Sequence, residues 1–277
     1  MKKLNRILLV LSLALCLVGG VLLAVGAFAG GIDDAQEIAG TRTRTYSQEK
    51  TQLEDFTAID ADLATSDLEI RPSSDDHAYL EYHIDAPLDR QPLKTTVQNQ
   101  VLTLRDWREG ESSDVTPSVS NLLSWLPYGE HRSINNSEVI LYLPATTFAR
   151  CTIDMDLGEL TIDGLNANAL DLSLSVGDLT LKNCTFASSD IDLDLGNANG
   201  DNISMTGSNT ITLSTGDLSF KLTNPDALNI NADTDIGNVN TNDRYNGNLS
   251  DNHFSQTSDN AAGSLTLSAD LGDITLE

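Results

Sequence analysis

A glycine-centred heptapeptide recurs through the second half of this chain, as in Ser175–Leu181 and Asp270–Leu276. The glycines of its clear and weaker copies lie 19, 19, 20, 21 and 35 residues apart. They are Gly158, Gly177, Gly196, Gly216, Gly237 and Gly272. A step near 20 residues indicates a stacked architecture in which each repeat supplies one rung. The repeat therefore predicts an all-β fold, a parallel β-solenoid or β-helix-like domain with rungs of about 20 residues.

Aligning the repeats on their glycines indicates which positions face inwards. Positions one, three and five before each glycine, and two after it, are mostly apolar. Residues two apart on a strand share a face, so we expect these columns to line one core. Glycine permits a bend that a Cβ atom would obstruct. Each repeat is therefore predicted to be a strand, a bend and a second strand, stacked into two parallel sheets.

The column four residues before each glycine supports this stacking. It alternates between acid and hydroxyl along the sequence: Asp154, Ser173, Asp192, Thr212, Asp233 and Ser268. Neighbouring strands lie about 4.8 Å apart, and like charges directly opposite each other destabilise a sheet. The alternation therefore predicts that consecutive repeats stack on one another and that acids occupy alternate rungs.

The N-terminus carries a membrane-targeting pattern. Lys2, Lys3 and Arg6 precede an uncharged stretch of 23 residues, Ile7 to Ala29. As a helix this stretch would be about 34 Å long, enough to cross a bilayer core of about 30 Å. The basic flank favours a cytoplasmic N-terminus with the rest of the chain outside the cytoplasm. We expect a single-pass anchor in the cell membrane.

Two alternatives to an uncleaved anchor exist. Ala27-Phe28-Ala29 fits the small-residue pattern of a signal-peptide cleavage site, and cleavage after Ala29 would release a secreted protein. A lipoprotein would use Cys16, but Leu15 precedes it where a small residue is expected. The uncharged stretch is longer than a usual signal-peptide core, which favours the anchor.

The whole chain divides into segments of different composition. Residues 1–29 are the cytoplasmic tip and anchor, and the polar stretch 30–52 is predicted to be a tether. Residues 53–277 are predicted to form the solenoid, beginning with a degenerate repeat at Phe56–Ile70. Inserts at 107–137 and 242–263 interrupt it, the second as a polar loop between two rungs.

The charge balance restricts the partners. The chain has 41 acidic against 16 Lys and Arg residues, a formal net charge of −25. Nucleic-acid binding depends on Lys and Arg neutralising phosphates, so we expect no nucleic-acid partner. The same charge argues against docking of the body on anionic lipid. It is compatible with cationic partners or simply with solubility.

Motifs for catalysis or metal binding are missing from the sequence. The four histidines have no zinc-site spacing, and there is no nucleophile elbow, P-loop or dinucleotide fingerprint. We expect no cofactor, and we expect Cys151 and Cys184 to be buried thiols rather than a disulfide. An acid or Asn follows each bend glycine, but calcium-binding β-rolls use shorter, nonapeptide repeats. We therefore expect diffuse calcium binding at most.

The first insert contains the most specific candidate contact site. Ser118–Leu126, between Pro117 and Pro127, could form a short amphipathic helix. Its candidate contact residues are Leu122, Leu123, Trp125 and Leu126. Two roles fit them. They could cap the open end of the solenoid core, as repeat domains require, or they could contact a partner.

The chain resembles the bacterial "putative adhesin" family, a domain of unknown function. The resemblance rests on the basic N-terminus with its apolar segment, Phe56–Asp60, Ser66–Ile70, Val139–Pro144 and the Gly-Asp-Leu-Thr-Leu repeats, and it covers roughly residues 50–277. It implies a β-solenoid displayed outside the cell from one membrane helix, with no catalytic residues. Some members are similar to accessory proteins of cell-envelope stress responses. The chain departs from the pattern at Gly196–Gly200, where we expect an irregular rung.

These observations predict a non-enzymatic, membrane-anchored protein that acts as an adhesin-like or envelope-stress binding module. Besides the membrane, its expected partner is an envelope protein, a peptide or a glycan. Two alternatives remain open. A carbohydrate-active β-helix enzyme would need convergent carboxylates and aromatic side chains on one sheet, whereas an inert spacer would need no contact site.

Overall fold

The computed structural model describes residues 43–87, 91–107 and 137–277. The chain divides into two compact units. One comprises Thr45–Ala86, Arg90–Glu111 and Arg132–Glu277 and contains all the repeats, whereas the other lies almost wholly outside the described residues. The described part of the chain is rich in β-strands, and its one short helix is a 3-10 turn at Pro225–Ala227. The prediction of an all-β domain is confirmed.

The predicted membrane segment, 7–29, lies outside the described residues. The described part of the chain contains no helix that could serve as a membrane span.

The strands are β1 (Thr43–Gln52), β2 (Ala58–Leu63), β3 (Asp67–Pro72), β4 (Tyr79–Pro87), β5 (Leu93–Gln98), β6 (Val101–Asp106), β7 (Glu138–Leu143), β8 (Thr147–Phe148), β9 (Arg150–Leu157), β10 (Leu160–Asp163), β11 (Asn166–Ala167), β12 (Leu170–Val176), β13 (Leu179–Lys182), β14 (Thr185–Phe186), β15 (Ser189–Leu195), β16 (Ala198–Met205), β17 (Gly207–Thr215), β18 (Leu218–Leu222), β19 (Leu228–Ile236), β20 (Val239–Thr241), β21 (Asn248–Leu249), β22 (His253–Gln256), β23 (Gly263–Leu271) and β24 (Ile274–Leu276).

Two large sheets enclose one apolar core within the repeat unit. The 11-stranded sheet runs in the order β21-β22-β19-β23-β17-β15-β12-β9-β2-β6-β5. The 13-stranded sheet begins β1-β4-β7-β3-β10-β13-β16, and β18, β24 and β20 follow β16. Successive repeats pair in parallel and in register, with Leu172 opposite Ile153 on one side and Ile191 on the other. The short strands β8, β11 and β14 pair in the same way and close a third side of the rungs.

The repeats stack in a different order from the sequence. Strand β23 lies between β17 and β19, so the last repeat is inserted beneath the one before it. The expectation that consecutive repeats stack throughout is therefore wrong at this end. The physical reason lies in residues 242–263, which contain β21 and β22 as well as loop. Strand β22 pairs antiparallel with β19 and covers the edge that a following repeat would otherwise need.

The other end of the stack is built in a similar way. Strands β6 and β7 lie outside β2 and β3, although they follow them in the sequence. Antiparallel strands then cover this rung, with β5 on β6 and β4 on β7. Strand β1, in the stretch predicted to be a tether, adds to β4. Antiparallel pairing thus closes both sheets at this end, which protects open sheet edges. At the other end it covers only the 11-stranded sheet, and the parallel strand β20 lies at the edge of the 13-stranded sheet.

Three of the four predicted apolar columns line the core. The residues three and five before each glycine and two after it are all buried, including Thr234, whose hydroxyl donates to the Gly272 carbonyl at 2.8 Å. Cys151 and Cys184 are free and buried, as expected. The irregular rung was expected at Gly196–Gly200, but Ala198–Gly200 pair in register with both neighbouring strands. The irregularity comes just after this stretch, as a register shift between Gly200 and Ile203 where β16 pairs with β18.

The acid column alternates only in the middle of the stack. Its order in space is Asp62, Asp154, Ser173, Asp192, Thr212, Ser268 and Asp233. Asp62 lies directly opposite Asp154, and in a neighbouring column Asp171 lies opposite Asp190. The rule that acids skip rungs is therefore wrong at these positions. Each of the two pairs has a nearby cation, because Arg105 lies 3.3 Å from Asp62 and Arg150 lies 3.1 Å from Asp171.

Candidate binding surface

The predicted contact residues Leu122, Leu123, Trp125 and Leu126 lie outside the described residues. The two described ends of their insert meet at one backbone position. The Trp107 indole N–H donates to the Asp85 carbonyl at 3.1 Å, and the Asp85 N–H donates to the Ser137 hydroxyl at 3.2 Å. The insert thus leaves and re-enters the domain beside Asp85, between β6 and β7.

The fourth predicted core column is exposed. The residues one before each bend glycine were expected to face the core. Instead they lie in register along a corner of the domain, with 39–67% of the apolar residues' surface accessible. We call this column the apolar ridge: Leu157, Val176, Leu195, Thr215, Leu271 and Ile236, in spatial order. The prediction for this column is wrong, and its correction reveals an apolar surface that folding does not bury.

The bend geometry explains why the ridge faces outwards. Each glycine after a ridge residue has a φ between +139° and +157°, where side chains are strained. The strand therefore ends at the ridge residue, and the in–out alternation stops: Leu193 is buried, whereas both Asp194 and Leu195 are exposed. The period of two continues in the sequence, but the chain has already begun to turn the corner.

The bends also stack closely on one another. A Cβ atom on Gly177, Gly196 or Gly216 would lie only 1.8 Å from the carbonyl oxygen of the preceding bend. A Cβ atom on Gly272 would likewise meet the Gly216 carbonyl oxygen, and one on Gly237 would meet the Gly272 carbonyl oxygen. The bends therefore stack in the same spatial order as the strands. The repeated glycines are therefore required twice, for their φ values and for this close approach.

Carboxylates border the ridge on both sides. The column before the ridge contains Asp156, Ser175, Asp194, Ser214, Asp270 and Asp235, in spatial order. The column after the glycines contains Glu159, Asp178, Asn197, Asp217, Asp273 and Asn238, all of them exposed. Among the described residues, the ion pairs with Arg, Lys or His do not involve Asp194, Asp235, Asp270 or any acid of the second column. The corner is thus an apolar strip between two acidic strips.

The second acidic column has a structural task as well. The Asp178 carboxylate accepts the Asn197 N–H at 2.8 Å, and the Asn197 side-chain oxygen accepts the Asp217 N–H at 3.0 Å. In the same way, the Asp217 carboxylate accepts the Asp273 N–H, and the Asp273 carboxylate accepts the Asn238 N–H. Hydrogen bonding between rungs therefore explains the acid or Asn at four of the six positions, Asp178, Asn197, Asp217 and Asp273. The described residues contain no group of three or more His, Cys, Asp or Glu arranged to hold a metal ion.

A second surface feature lies on the outer face of the 13-stranded sheet. It is a shallow groove of about 240 Å³ lined by polar residues that include Lys182, Asp201 and Lys221. The groove lies beside Gly200, where a Cβ atom would come within 2.4 Å of the Phe220 ring. Lys221 and Asp201 are 3.6 Å apart, so these charges already have a partner within the groove. It is less distinctive than the ridge.

The two thiols in the described part of the chain, Cys151 and Cys184, offer no nucleophile. Burial raises the pKa of Cys151 to about 12 and that of Cys184 to about 11. The reactive form of cysteine is the thiolate, which is scarce at neutral pH when the pKa is this high. Both side chains instead fill the core beneath the rungs.

Solved structures of a putative cell adhesion protein, a putative adhesin and a putative lipid binding protein resemble the chain weakly. A putative cell adhesion protein from Clostridium sporogenes has 12% identity and a TM-score of 0.46, with 85% of this chain and 98% of that chain covered. A putative adhesin from Bacteroides fragilis has 15% identity and a TM-score of 0.34, covering 85% and 97%. A putative lipid binding protein from Parabacteroides distasonis has 14% identity and a TM-score of 0.24, covering 85% and 94%.

The family comparison falls on the glycine-centred repeats. No curated protein matches the chain in sequence. The sequence model of the Toastrack DUF4097 family matches residues 146–277, a range that begins just before β8 and includes all six bend glycines. The resemblance expected from the sequence is thereby confirmed: the repeat region of this chain, residues 146–277, is a match to the Toastrack DUF4097 family.

Proposed function

We propose that this chain is a non-enzymatic binding module, anchored by residues 7–29 in the cell membrane, with its β-domain outside the cytoplasm. The ridge is the surface that holds its partner. The observation that carries the proposal is an apolar column kept exposed over successive rungs, although folding does not require apolar side chains there. Contiguous exposed apolar surface on a soluble domain marks interaction sites.

The outer face of the 11-stranded sheet favours binding over glycoside hydrolysis. An enzyme of that class would place carboxylates beside aromatic side chains that stack on sugar rings. From β2 to β19 across this sheet, the outward positions hold Asp, Ser, Thr, Asn, Arg and one Ala but no aromatic residue. Several of the outward acids already form ion pairs within the domain. Asp60, for example, lies 2.9 Å from Arg105.

An inert spacer would not need the ridge. Serine or threonine suits an exposed strand end, and Thr215 shows that the fold accepts a hydroxyl in this column. The other positions in the column are Leu, Val or Ile. Aliphatic side chains exposed in register lower the solubility of a domain unless a partner covers them, which supports a contact role.

Photocrosslinking in intact cells tests the proposal. A photoreactive amino acid at Leu195 is expected to trap one discrete partner adduct, because this side chain is in the middle of the ridge. The matched control places the same residue at Ser219, on the outer face of the 13-stranded sheet, where no such adduct is expected. Equal trapping at both positions, or none at Leu195, would remove the ridge from the proposal.

The anchor and its orientation need a separate measurement. Cells that express the full chain are fractionated and treated with protease from outside. The proposal expects the chain in the membrane fraction and degradation of its β-domain in intact cells. A chain found free in the medium would instead support cleavage after Ala29, and a protected β-domain would reverse the orientation.

A further inference from the structure

The ridge has a size and a charge pattern that specify its partner more narrowly. We infer that it binds a basic amphipathic helix, whose apolar stripe lies along the ridge and whose Lys and Arg residues meet the two acidic columns. This inference rests on the proposed function and names the chemistry of the partner at that site. Its three supports are the backbone at the corner, the spacing of the ridge and the charge on both flanks.

The backbone at the corner is already hydrogen-bonded between rungs. The Gly177 N–H donates to the Leu195 carbonyl at 2.9 Å, and the Gly196 N–H donates to the Thr215 carbonyl at 3.0 Å. In the same way, the Gly216 N–H donates to the Leu271 carbonyl, and the Gly272 N–H donates to the Ile236 carbonyl. A partner strand added to a sheet edge would need such groups free. The ridge therefore recognises a partner through side chains, as helix-binding surfaces do.

The spacing of the ridge suits a helix. Six rungs separated by about 4.8 Å give a ridge of about 24 Å, the length of a helix of about 16 residues. A helix rises about 5.4 Å per turn, so a tilt of about 27° brings its turns into step with the rungs. An extended strand would present one side chain about every 6.7 Å and would lose this register within two rungs.

The flanking charges select a cationic partner. Asp194, Asp235 and Asp270 border the ridge on one side, and Asp178 and Asp217 are among those that border it on the other. A second copy of this chain or an anionic lipid surface would bring like charges together. A neutral apolar partner would desolvate carboxylates without pairing them. Lys and Arg on both sides of an apolar stripe solve both problems, because their stems pack on the ridge while their charges reach the acids.

Binding of designed peptides to the full chain tests the inference. The chain is reconstituted in nanodiscs of zwitterionic lipid, and signal from empty nanodiscs is subtracted. The probe is a fluorescent 18-residue Leu/Lys peptide that forms one apolar stripe when helical. Its control has the same composition in a permuted order without a stripe. We expect the striped peptide to bind at least about tenfold more tightly at physiological salt, and to weaken as salt increases.

Variants separate the apolar contribution from the charge. Leu195→Ser with Leu271→Ser should weaken binding at least about tenfold without lowering the melting temperature, because both side chains are exposed. Asp194→Asn with Asp270→Asn should weaken binding mainly at low salt. The charge-matched control is Asp201→Asn with Asp163→Asn, on the strands of the other sheet, which should leave binding unchanged.

Each contrary outcome points to a different error. Equal binding of striped and permuted peptides, or equal weakening by both pairs of Asp→Asn changes, would overturn the inference in favour of general charge attraction. If the striped peptide fails while the Leu195 crosslink still traps a partner in cells, the partner chemistry is wrong and the proposed function stands. If both fail, the proposed function fails with it.

Discussion

Leu193 and Leu195 are two residues apart on the same strand, yet the fold treats them oppositely. Leu193 is 2% exposed and belongs to a column that lines the core, whereas Leu195 is 50% exposed and belongs to the ridge. Both columns are almost entirely apolar and both repeat on every rung. The difference teaches that an apolar residue in a repeat need not serve the core. A column that stays apolar without being buried is the place to look for function.

The largest expected effect comes from shortening one member of each column. Leu193→Ala should destabilise the domain by about 2–5 kcal/mol, because it leaves a cavity in a close-packed core. Leu195→Ala should change the free energy of unfolding by less than about 0.5 kcal/mol, as surface substitutions do. Denaturant unfolding of the two variants measures this contrast. Similar losses in both would mean that the ridge supports the fold, and its role in binding would lose its main argument.

A second test concerns the glycine that separates the two columns from the next strand. Gly196→Ala should cost about 2–4 kcal/mol, since a Cβ atom would meet the Gly177 carbonyl oxygen at 1.8 Å in addition to the φ strain. The control is Gly164→Ala. Gly164 also has a positive φ, but its nearest neighbour would be Pro72 at 3.6 Å.

Gly164→Ala should therefore cost only about 1 kcal/mol, the strain of the backbone without a clash. Thermal unfolding of both variants gives the comparison. If the two losses are equal, backbone strain alone accounts for the repeated glycines, and the close stacking of bends beneath the ridge has no separate energetic role.

The repeats predict the rung because its causes are local. A glycine at each bend, and apolar residues at spacing two before and after it, follow from φ and from side-chain alternation within a few residues. Leu193, Leu174 and Leu213 were assigned to the core on this basis, and they are buried there. The degenerate repeat at Phe56–Ile70 likewise forms β2 and β3.

What the sequence did not predict depends on where the chain turns and on distant pairing. Period-two spacing does not say that the strand ends at Leu195 rather than at Gly196, so the ridge was assigned to the core. The order of the last two rungs depends on β22 covering β19, an antiparallel pairing that no spacing in the repeats indicates. The candidate site on the first insert lies outside the described residues and stays a prediction.

A third prediction tests the acidic flank of the ridge. Asp217→Ala should destabilise the domain by about 1 kcal/mol, because the Asp273 N–H would lose its acceptor at 2.9 Å. Asp217→Asn should cost much less, because Asn197 already performs the same task on the neighbouring rung. Melting temperatures of the two variants measure the difference. An Asn variant as unstable as the Ala variant would show that the charge, rather than the hydrogen bond, holds this column.

The smallest expected effect tests the spatial order of the rungs. Ser173 lies between Asp154 and Asp192, whereas Thr212 lies between Asp192 and Ser268. Ser173→Asp therefore opposes two carboxylates, and Thr212→Asp opposes one. We expect losses of a few tenths of a kcal/mol to about 1 kcal/mol, with Ser173→Asp costing more and both effects shrinking as salt is added.

Stacking in sequence order would place Thr212 between Asp192 and Asp233, and the two substitutions would then cost the same. Melting temperatures at low and high salt distinguish these cases, because the unequal salt dependence comes from the number of opposed carboxylates. Equal values would contradict the insertion of β23 between β17 and β19. They would also change the order of the ridge, in which Leu271 lies between Thr215 and Ile236 only because of that insertion.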